Sequence, residues 1–193
     1  MNNQIEEAVR ILNQGGIIIF PTDTAFGIGC RMNDESAVRK LFSIRKRPEN
    51  QAVPVLFNNI DTIKNYLVDI PAEVEDKLIK KYWPGALTII LPGKTDKVPK
   101  LVRGGGRNLG VRIPNHEVIL KIIGKTGTGI LGPSANFHGE KTPYRFEDLD
   151  RKLLSMVDYV VKGECKGERA STVIDCSVSP WAIVRQGAVE VSL

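Results

Sequence analysis

The chain has few of the residues from which disulfide frameworks, metal centres and histidine-based active sites are built. Its 193 residues include only three cysteines and two histidines. Cys30, Cys165 and Cys176 are odd in number and contain no Cys-x-x-Cys pair, so they predict neither a disulfide framework nor a zinc site. Neither His116 nor His138 has an Asp, a Cys or another His beside it. Acid–base or metal chemistry centred on histidine is therefore not expected.

Long apolar segments are also missing. No apolar run approaches the roughly 18 residues needed to span a bilayer, and residues 1–10 are polar and amphipathic rather than built like a secretion signal. The absence of these segments predicts a protein that is not embedded in a membrane. The three cysteines are expected to be reduced thiols, which predicts a cytoplasmic location. A content of 42% hydrophobic and 25% charged residues suits one medium core, so residues 1–193 are expected to form a single domain.

Helical and strand-like patterns alternate along the chain. The last three strand-like segments follow one another too closely for helical crossovers, which indicates that the sheet is partly antiparallel. The pattern predicts an α/β fold with a twisted, mixed parallel and antiparallel sheet and flanking helices. Strands are predicted at 17–20, 53–57, 87–91, 109–113, 129–131, 158–161, 172–175 and 182–185, and helices at 5–12, 34–42, 61–67, 71–82, 116–125 and 146–156.

Two turns rich in hydroxyl and amide groups follow apolar strands. Residues 132–136 (Gly-Pro-Ser-Ala-Asn) end the strand at 129–131, and residues 20–24 (Phe-Pro-Thr-Asp-Thr) follow the apolar run at 17–19. Open α/β sheets bind their ligands where strands end. The two turns are therefore predicted to share one pocket.

Arginine is the residue type that most clearly points to a ligand. Arg112 lies inside an otherwise apolar strand and Arg185 ends another, and a buried guanidinium needs an anionic partner. Residues 45–47 (Arg-Lys-Arg) lie just past the end of the predicted helix at 34–42, where cations also complement the helix dipole. The loop at 103–107 (Arg-Gly-Gly-Gly-Arg) could approach phosphates or could be a solvated turn. A net charge of +5 attracts phosphates when it is focused in a cleft.

Two familiar kinds of site are not supported. Gly124-Lys125-Thr126 matches the end of a P-loop, but it follows a predicted helix and precedes a strand, the reverse of the P-loop order. Asp23 and Asp175 are too far apart in sequence to form a metal signature. No metal site in the protein is predicted.

Seven short motifs occur in order along the chain, at 21–29, 45–48, 83–85, 111–114, 134–136, 171–175 and 185–187. The first is Pro-Thr-x-Thr after an apolar strand, and the second is Arg-x-Arg-Pro. With these motifs the whole chain resembles the YrdC-like family of threonylcarbamoyl-AMP synthases, in which the second motif is Lys-x-Arg-Pro. The resemblance implies a YrdC-like fold with a basic concave face. Since the chain ends soon after Arg185, it is expected to be the single-domain form.

The resemblance also implies an enzyme that is a nucleotidyltransferase. L-threonine, bicarbonate or CO₂, and ATP would give threonylcarbamoyl-adenylate and pyrophosphate. The product serves the threonylcarbamoyladenosine modification of tRNA, so downstream threonylcarbamoyl-transfer proteins and tRNA are the implied partners. Mg²⁺ is expected with ATP, bridging its phosphates.

Site residues follow from the matched motifs. Arg45 and Arg47 are the implied catalytic residues, acting by positioning and charge neutralisation rather than as nucleophiles. The implied threonine contacts are Thr24, Arg112, Ser134 and Ser171. The implied ATP contacts are Arg47, Gln51, Asn108, Asn136, Tyr144 and Arg185.

The sequence is also compatible with other functions. Arg45 replaces the family's lysine, and Leu56 and Tyr144 also depart from its pattern, which leaves room for a paralogue with an altered substrate. A noncatalytic RNA-binding or ribosome-associated module could use the same basic cleft, although only 6% of the residues are aromatic and could stack on bases. A changed carbamoyl acceptor, as in hydrogenase-maturation carbamoyltransferases, is a third possibility, but those proteins are far longer.

Overall fold

A computed structural model describes residues 2–191 and contains two β-sheets with helices packed around them. The strands are β1 (Ile18–Phe20), β2 (Gly27–Gly29), β3 (Val55–Leu56), β4 (Leu87–Pro92), β5 (Asn108–Arg112), β6 (Ile130–Leu131), β7 (Tyr159–Val160), β8 (Thr172–Asp175) and β9 (Ala182–Arg185). The α-helices are α1 (Asn2–Asn13), α2 (Glu35–Arg45), α3 (Ile60–Lys64), α4 (Ala72–Val74), α5 (Lys80–Tyr82), α6 (Glu117–Thr126) and α7 (Arg151–Leu154).

Both sheets are mixed, which confirms the predicted fold class. The smaller sheet has the order β2-β1-β7, with β1 antiparallel to β2 and parallel to β7. The larger has the order β6-β3-β5-β4-β8-β9, in which β3–β5 and β4–β8 are parallel and the other pairs antiparallel. The division into two sheets was not expected from the sequence, because strand patterns do not report their partners.

Most helix boundaries follow local signals. The Asp34 side chain accepts a hydrogen bond from the Ala37 N–H and caps α2, as its position predicts. Helix α6 continues through Gly124 and ends at Gly127, whose φ of 68° suits glycine. Gly124 thus lies inside a helix, which rules out the P-loop reading.

One of the predicted long helices is continuous but contains a π-helical turn, and another is broken. Residues 71–82 form α4, a π-helical turn over Glu75–Ile79, and α5. Residues 146–156 contain a 3₁₀ helix at Phe146–Asp148 and then α7, because Leu149 is extended and the Asp150 carboxylate caps α7 through the N–H groups of Lys152 and Leu153. A capping aspartate favours a new helix start over helix continuation.

The core has two parts. The larger packs the six-stranded sheet against α2 and the 72–82 helices, and includes fully buried Phe26, Leu41 and Phe57. The smaller packs α1 and α6 against the three-stranded sheet around Leu12 and Ile119. Among the helices in residues 2–191, none has the length and apolar character needed to cross a membrane.

Candidate functional site

A cavity of about 740 Å³ lies where β1 and β6 end, between the two sheets. Its wall includes the turn after β1, the turn after β6, and residues from β4, β5, β8 and β9. The structure thus brings together the two hydroxyl-rich turns that the sequence placed in one pocket. Eight of the eleven predicted site residues line this cavity: Thr24, Arg45, Arg47, Asn108, Arg112, Ser134, Ser171 and Arg185.

Backbone hydrogen bonds hold the two turns together across the sheets. The Ile28 N–H donates to the Pro133 carbonyl at 3.0 Å, and the Ala135 N–H donates to the Phe26 carbonyl at 2.8 Å. Gly29 is required at this junction, since a Cβ there would lie 1.9 Å from the Leu131 carbonyl oxygen. The cavity floor is therefore fixed by main-chain contacts.

Arg112 is buried at the end of β5, and three hydrogen bonds fix its guanidinium. Its Nε donates to the Gly85 carbonyl at 2.9 Å, Nη1 donates to Thr24 Oγ1 at 3.0 Å, and Nη2 donates to Asp23 Oδ1 at 2.6 Å. Burial lowers the pKa of Arg112, while the charge of Asp23 opposes that shift. Asp23 is thus the anionic partner that the strand position of Arg112 required, 89 residues away in sequence.

The hydroxyl of Thr24 is oriented by its neighbours. Thr22 Oγ1 donates to the Ala25 carbonyl at 2.7 Å, so it accepts from Thr24, whose Oγ1 lies 3.1 Å away. Thr24 Oγ1 in turn accepts from Arg112. With its proton directed to Thr22, the Thr24 hydroxyl offers a ligand only a lone pair. A ligand group at this point must donate, as an ammonium does.

Ser171 and Arg185 form a second network at the start of β8 and the end of β9. Arg185 Nε donates to the Ser171 carbonyl at 3.0 Å and Nη2 donates to Ser171 Oγ at 3.1 Å. The Ser171 hydroxyl also lies 3.0 Å from Thr88 Oγ1, on β4. The close approach of Gly187 to residues 170–171 permits this arrangement, because a Cβ there would lie 2.3 Å from the Ala170 carbonyl oxygen.

Arg45 has the clearest unmet hydrogen-bonding capacity in the cavity. It is 3% exposed, its Nε donates to the Asn136 carbonyl at 2.9 Å, and its Nη2 lies 3.5 Å from Asn136 Oδ1. Its Nη1 is buried and has no hydrogen-bond partner within residues 2–191. Burial, helped by the nearby charge of Arg47, lowers the pKa of Arg45 to about 10. A buried unpaired guanidinium nitrogen indicates an anionic ligand.

Three predicted ATP contacts do not form the cavity wall. Asn136 lies behind Arg45, and its amide nitrogen donates to the carbonyls of Phe137 and Glu140, both at 2.8 Å. Gln51 is exposed, although its carbonyl accepts from Arg47 Nε at 3.1 Å. Tyr144 is half-buried, close enough to influence the pKa of Arg185. The structure gives Asn136 a supporting position and leaves the roles of Gln51 and Tyr144 as predictions.

The glycine-rich loop at 103–107 is partly structural. Arg103 donates to the carbonyls of Val98 and Gly106, so this guanidinium closes its own loop. Gly104 has a φ of 57°, and a Cβ there would meet the Ala52 nitrogen at 2.5 Å. Arg107 is exposed at the cavity rim. Of the two arginines, Arg107 is the one available to a ligand.

Residues 162–170, here called the strap, run over the turn after β1. The Lys166 N–H donates to the Thr22 carbonyl at 3.3 Å, and Gly167 packs so closely that a Cβ would lie 2.9 Å from the Asp23 carbonyl oxygen. Buried His116 lies 3.2 Å through Nε2 from the Glu164 carbonyl. The strap was not predicted from the sequence, because its contacts join segments at least 48 residues apart.

The charge of the wall defines the class of ligand. Six arginines and a single carboxylate, Asp175, line the cavity within the described residues. Residues 2–191 hold no group of three His, Cys, Asp or Glu side chains that could bind a metal. Burial lowers the pKa of Arg47 and, with the charge of Arg112, that of Arg185. Such a wall fits a ligand with several negative charges.

Comparison with known proteins gives the same family throughout. The Sua5/YciO/YrdC family model, described as telomere recombination, matches residues 10–187. The threonylcarbamoyl-AMP synthase of Pyrococcus abyssi is 32% identical over 187 residues, which are 96% of this chain and 54% of that protein. The synthase of Xanthomonas axonopodis is 38% identical over 164 residues, 83% of this chain and 86% of that protein.

Solved structures agree with the sequence comparisons. The structure of P. abyssi Sua5 complexed with L-threonine superposes with a TM-score of 0.90 at 32% identity, covering 95% of this chain and 54% of that one. E. coli YciO superposes with a TM-score of 0.88 at 25% identity, covering 98% and 92% of the two chains. The chain spans about half the length of the P. abyssi relative that it matches.

Proposed function

The chain belongs to the Sua5/YciO/YrdC family, and from this premise we propose that it is a threonylcarbamoyl-AMP synthase. It joins L-threonine, bicarbonate or CO₂, and ATP into threonylcarbamoyl-adenylate and releases pyrophosphate. The observation that carries the proposal is the unpaired Nη1 of buried Arg45 in a cavity lined by six arginines and one carboxylate. The product would pass to threonylcarbamoyl-transfer proteins that modify tRNA. Three unpaired cysteines support a cytoplasmic setting.

The threonine part of the cavity is centred on Arg112. Its guanidinium has five N–H groups, of which three are used by Gly85, Thr24 and Asp23, so two are free for a carboxylate. The lone pair of Thr24 suits the threonine ammonium. Ser134 and Ser171 add hydroxyls on the same wall. Binding of threonine to the P. abyssi relative supports this assignment.

The phosphates of ATP would lie against Arg45, Arg47 and Arg185. The threonine ammonium first loses a proton to solvent. The amine then attacks CO₂ with release of a further proton, or bicarbonate with release of water, to give a carbamate. A carbamate oxygen attacks the α-phosphorus, and the bond to the β-phosphate oxygen breaks as pyrophosphate leaves. No protein nucleophile is needed, so the protein contributes positioning and charge neutralisation. Arginines held in place before the substrate binds are suited to both tasks.

Mg²⁺ is proposed as a partner of ATP rather than as a resident metal. The described residues do not fit a metal cage, since no three-residue group of metal ligands occurs among them. The carboxylate of Asp175 already accepts two hydrogen bonds from Ser177. We therefore expect Mg²⁺ to be held by the phosphates.

The RNA-binding alternative receives less support. Five of the six cavity arginines are bonded to main-chain carbonyls, and only Arg107 is exposed without such a bond in the described part of the chain. Nonspecific RNA binding instead relies on exposed cations and on aromatic residues that stack on bases. The only aromatic residue in the described cavity wall is Phe26, which is 1% exposed.

Pyrophosphate release tests the proposed function. The purified protein is incubated with ATP, Mg²⁺, bicarbonate and one amino acid at a time. Release that depends on threonine and on bicarbonate is expected. If no amino acid stimulates release while RNA binds tightly and with a steep salt dependence, the RNA-binding function replaces it.

A further inference from the structure

Three polar residues form a chain of hydrogen bonds where strand β5 begins and strand β8 ends, in the interior of the larger sheet. Asn108 begins β5 and Asp175 ends β8, and these positions meet because β5 and β8 both pair with β4 but run in opposite directions. Asn108 Nδ2 donates to Ser177 Oγ at 2.7 Å. Ser177 Oγ and Ser177 N–H both donate to Asp175 Oδ1, at 2.6 and 2.8 Å.

The directions of these hydrogen bonds follow from the carboxylate. A carboxylate only accepts, so the single hydroxyl proton of Ser177 goes to Asp175. The Ser177 oxygen can then only accept, which requires the amide nitrogen of Asn108, and not its oxygen, to face Ser177. Asn108 lines the cavity, so its carboxamide oxygen is left on the cavity side. Within residues 2–191 that oxygen has no protein donor, and it is not among the buried unpaired atoms.

We infer that Asp175 and Ser177 are positioning residues that present Asn108 as a fixed hydrogen-bond acceptor. The inference rests on the proposed function. A phosphate oxygen at neutral pH is itself an acceptor and cannot bind there, whereas a nucleoside can donate through its 6-amino group or a ribose hydroxyl. The nucleotide therefore lies with its nucleoside end at Asn108 and its phosphates toward Arg45 and Arg47.

Direct binding measurements test this orientation. Calorimetry compares ATP with purine riboside triphosphate, which lacks the 6-amino group, and with 2′-deoxy-ATP and 3′-deoxy-ATP. We expect one of these analogues to bind the wild-type protein about 2- to 12-fold more weakly than ATP, as loss of one neutral hydrogen bond implies. Which analogue loses affinity identifies the donor as the base or the ribose.

Variants then test whether Asn108 and Ser177 cause the difference in affinity between ATP and the weaker-binding analogue. Asn108→Ala should bind ATP and that analogue equally. Ser177→Ala should reduce the discrimination, because the amide can then rotate, and Ser177→Thr should restore it. Inorganic tripolyphosphate should bind the wild type and Ser177→Ala alike. Val178→Ala, at an exposed neighbouring position, is the matched control.

The outcomes separate this inference from the proposed function. If the wild type binds ATP and all three analogues equally, the orientation is wrong and the synthase proposal stands. If Ser177→Ala discriminates as well as the wild type, Ser177 does not position Asn108. If Ser177→Ala does not fold, Asn108→Ala alone decides whether Asn108 is the acceptor. An Asn108→Ala variant that still binds ATP more tightly than the analogue overturns the inference. If the wild type binds no nucleotide, both proposals fail.

Discussion

Five of the six arginines that line the cavity are held in the same way. In each of them the Nε donates to a main-chain carbonyl, which leaves the η nitrogens for other partners. The five pairs are Arg45 with Asn136, Arg47 with Gln51, Arg103 with Val98, Arg112 with Gly85, and Arg185 with Ser171. A guanidinium fixed before binding loses less conformational entropy when a ligand arrives. This arrangement also explains why arginine is used, since a lysine has one nitrogen and cannot serve carbonyl and ligand with separate groups.

The first prediction concerns Arg112. Arg112→Ala should weaken threonine binding about 30-fold to several thousand-fold, because removing one partner of a buried charged pair costs about 2 to 5 kcal/mol. Nucleotide binding should change less. Threonine titration in a calorimeter measures the loss.

The same substitution leaves the carboxylate of Asp23 without its partner, so thermal unfolding must be compared. The matched control is Arg151→Ala, which removes an exposed arginine outside the cavity wall. Threonine affinity near that of the wild type in Arg112→Ala would remove this residue from the threonine site.

The second prediction concerns Arg45. Arg45→Ala should lower threonine-dependent pyrophosphate release by about 10²-fold, the effect of losing one charge partner of the transition state. Arg45→Lys should be affected less than Arg45→Ala, because it keeps the charge. Steady-state rates at saturating ATP compare the three proteins.

Arg39→Ala is the control for Arg45, since Arg39 lies on the same helix with a 67% exposed side chain. Unchanged turnover in Arg45→Ala would support a paralogue in which this position no longer contacts phosphates.

At the scale of elements, the strap depends on the N-terminus of α6. His116 is the N-cap residue of α6 and contacts the Glu164 carbonyl through Nε2. A carbonyl only accepts, so Nε2 carries the proton in the neutral ring. Nδ1 is buried and has no partner within the described part of the chain, so protonation would place an N–H there without an acceptor. The strap should therefore be more stable when His116 is neutral.

The third prediction follows from this pKa. Burial is the largest cause that lowers the pKa of His116 below 6.5, and the charge of Lys166 adds to it. The hydrogen bond to the Glu164 carbonyl and the charges of Asp23 and Glu117 oppose this shift without reversing it. The unfolded chain then binds the proton more tightly than the folded one. The contribution of neutral His116 is complete above the unfolded pKa and is lost as pH falls below about 6.5.

Melting temperatures between pH 8 and pH 5 provide the measurement. The decline below pH 6.5 should be smaller in His116→Gln, whose amide can still donate to Glu164 but does not titrate. His138→Gln, at a half-buried position outside the cavity wall, serves as the control. Equal declines in wild type and His116→Gln would exclude His116 as the cause.

For the whole molecule, the cavity joins the two sheets, so ligand binding and global stability are coupled. A ligand that binds only the folded state at 100 times its Kd adds about 2.7 kcal/mol to the free energy of unfolding. For a chain of this size that corresponds to a rise in Tm of roughly 5 to 11 °C.

The fourth prediction is therefore that ATP with Mg²⁺ raises the Tm of the protein by this amount. The rise should shrink as salt increases, because ions screen the arginine–phosphate attraction. The rise in Tm should also be smaller in Arg45→Ala. Differential scanning calorimetry measures it, with Mg²⁺ alone as the control. A Tm that ATP does not change would argue against a nucleotide site between the sheets.

The sequence by itself determined the parts of this protein that depend on neighbours in the chain. The bounds of β8 and β9, the Asp34 cap and the fold class were all predicted from local patterns, and the family from spaced motifs. The two polar turns and the arginines of the cavity were also identified this way. The two turns directly follow apolar strands, so the change from apolar to polar residues is visible in the sequence.

Only the tertiary structure decided which distant groups meet. The pairing of Asp23 with Arg112, the strap over the turn after β1, and the contact of Asn108 with Ser177 all join segments at least 69 residues apart. The break at 149–150 likewise depended on a capping carboxylate that competed with helical periodicity. Sequence periodicity reports which side of an element is buried but carries no information on its partner, and the chemistry of this cavity resides in those partners.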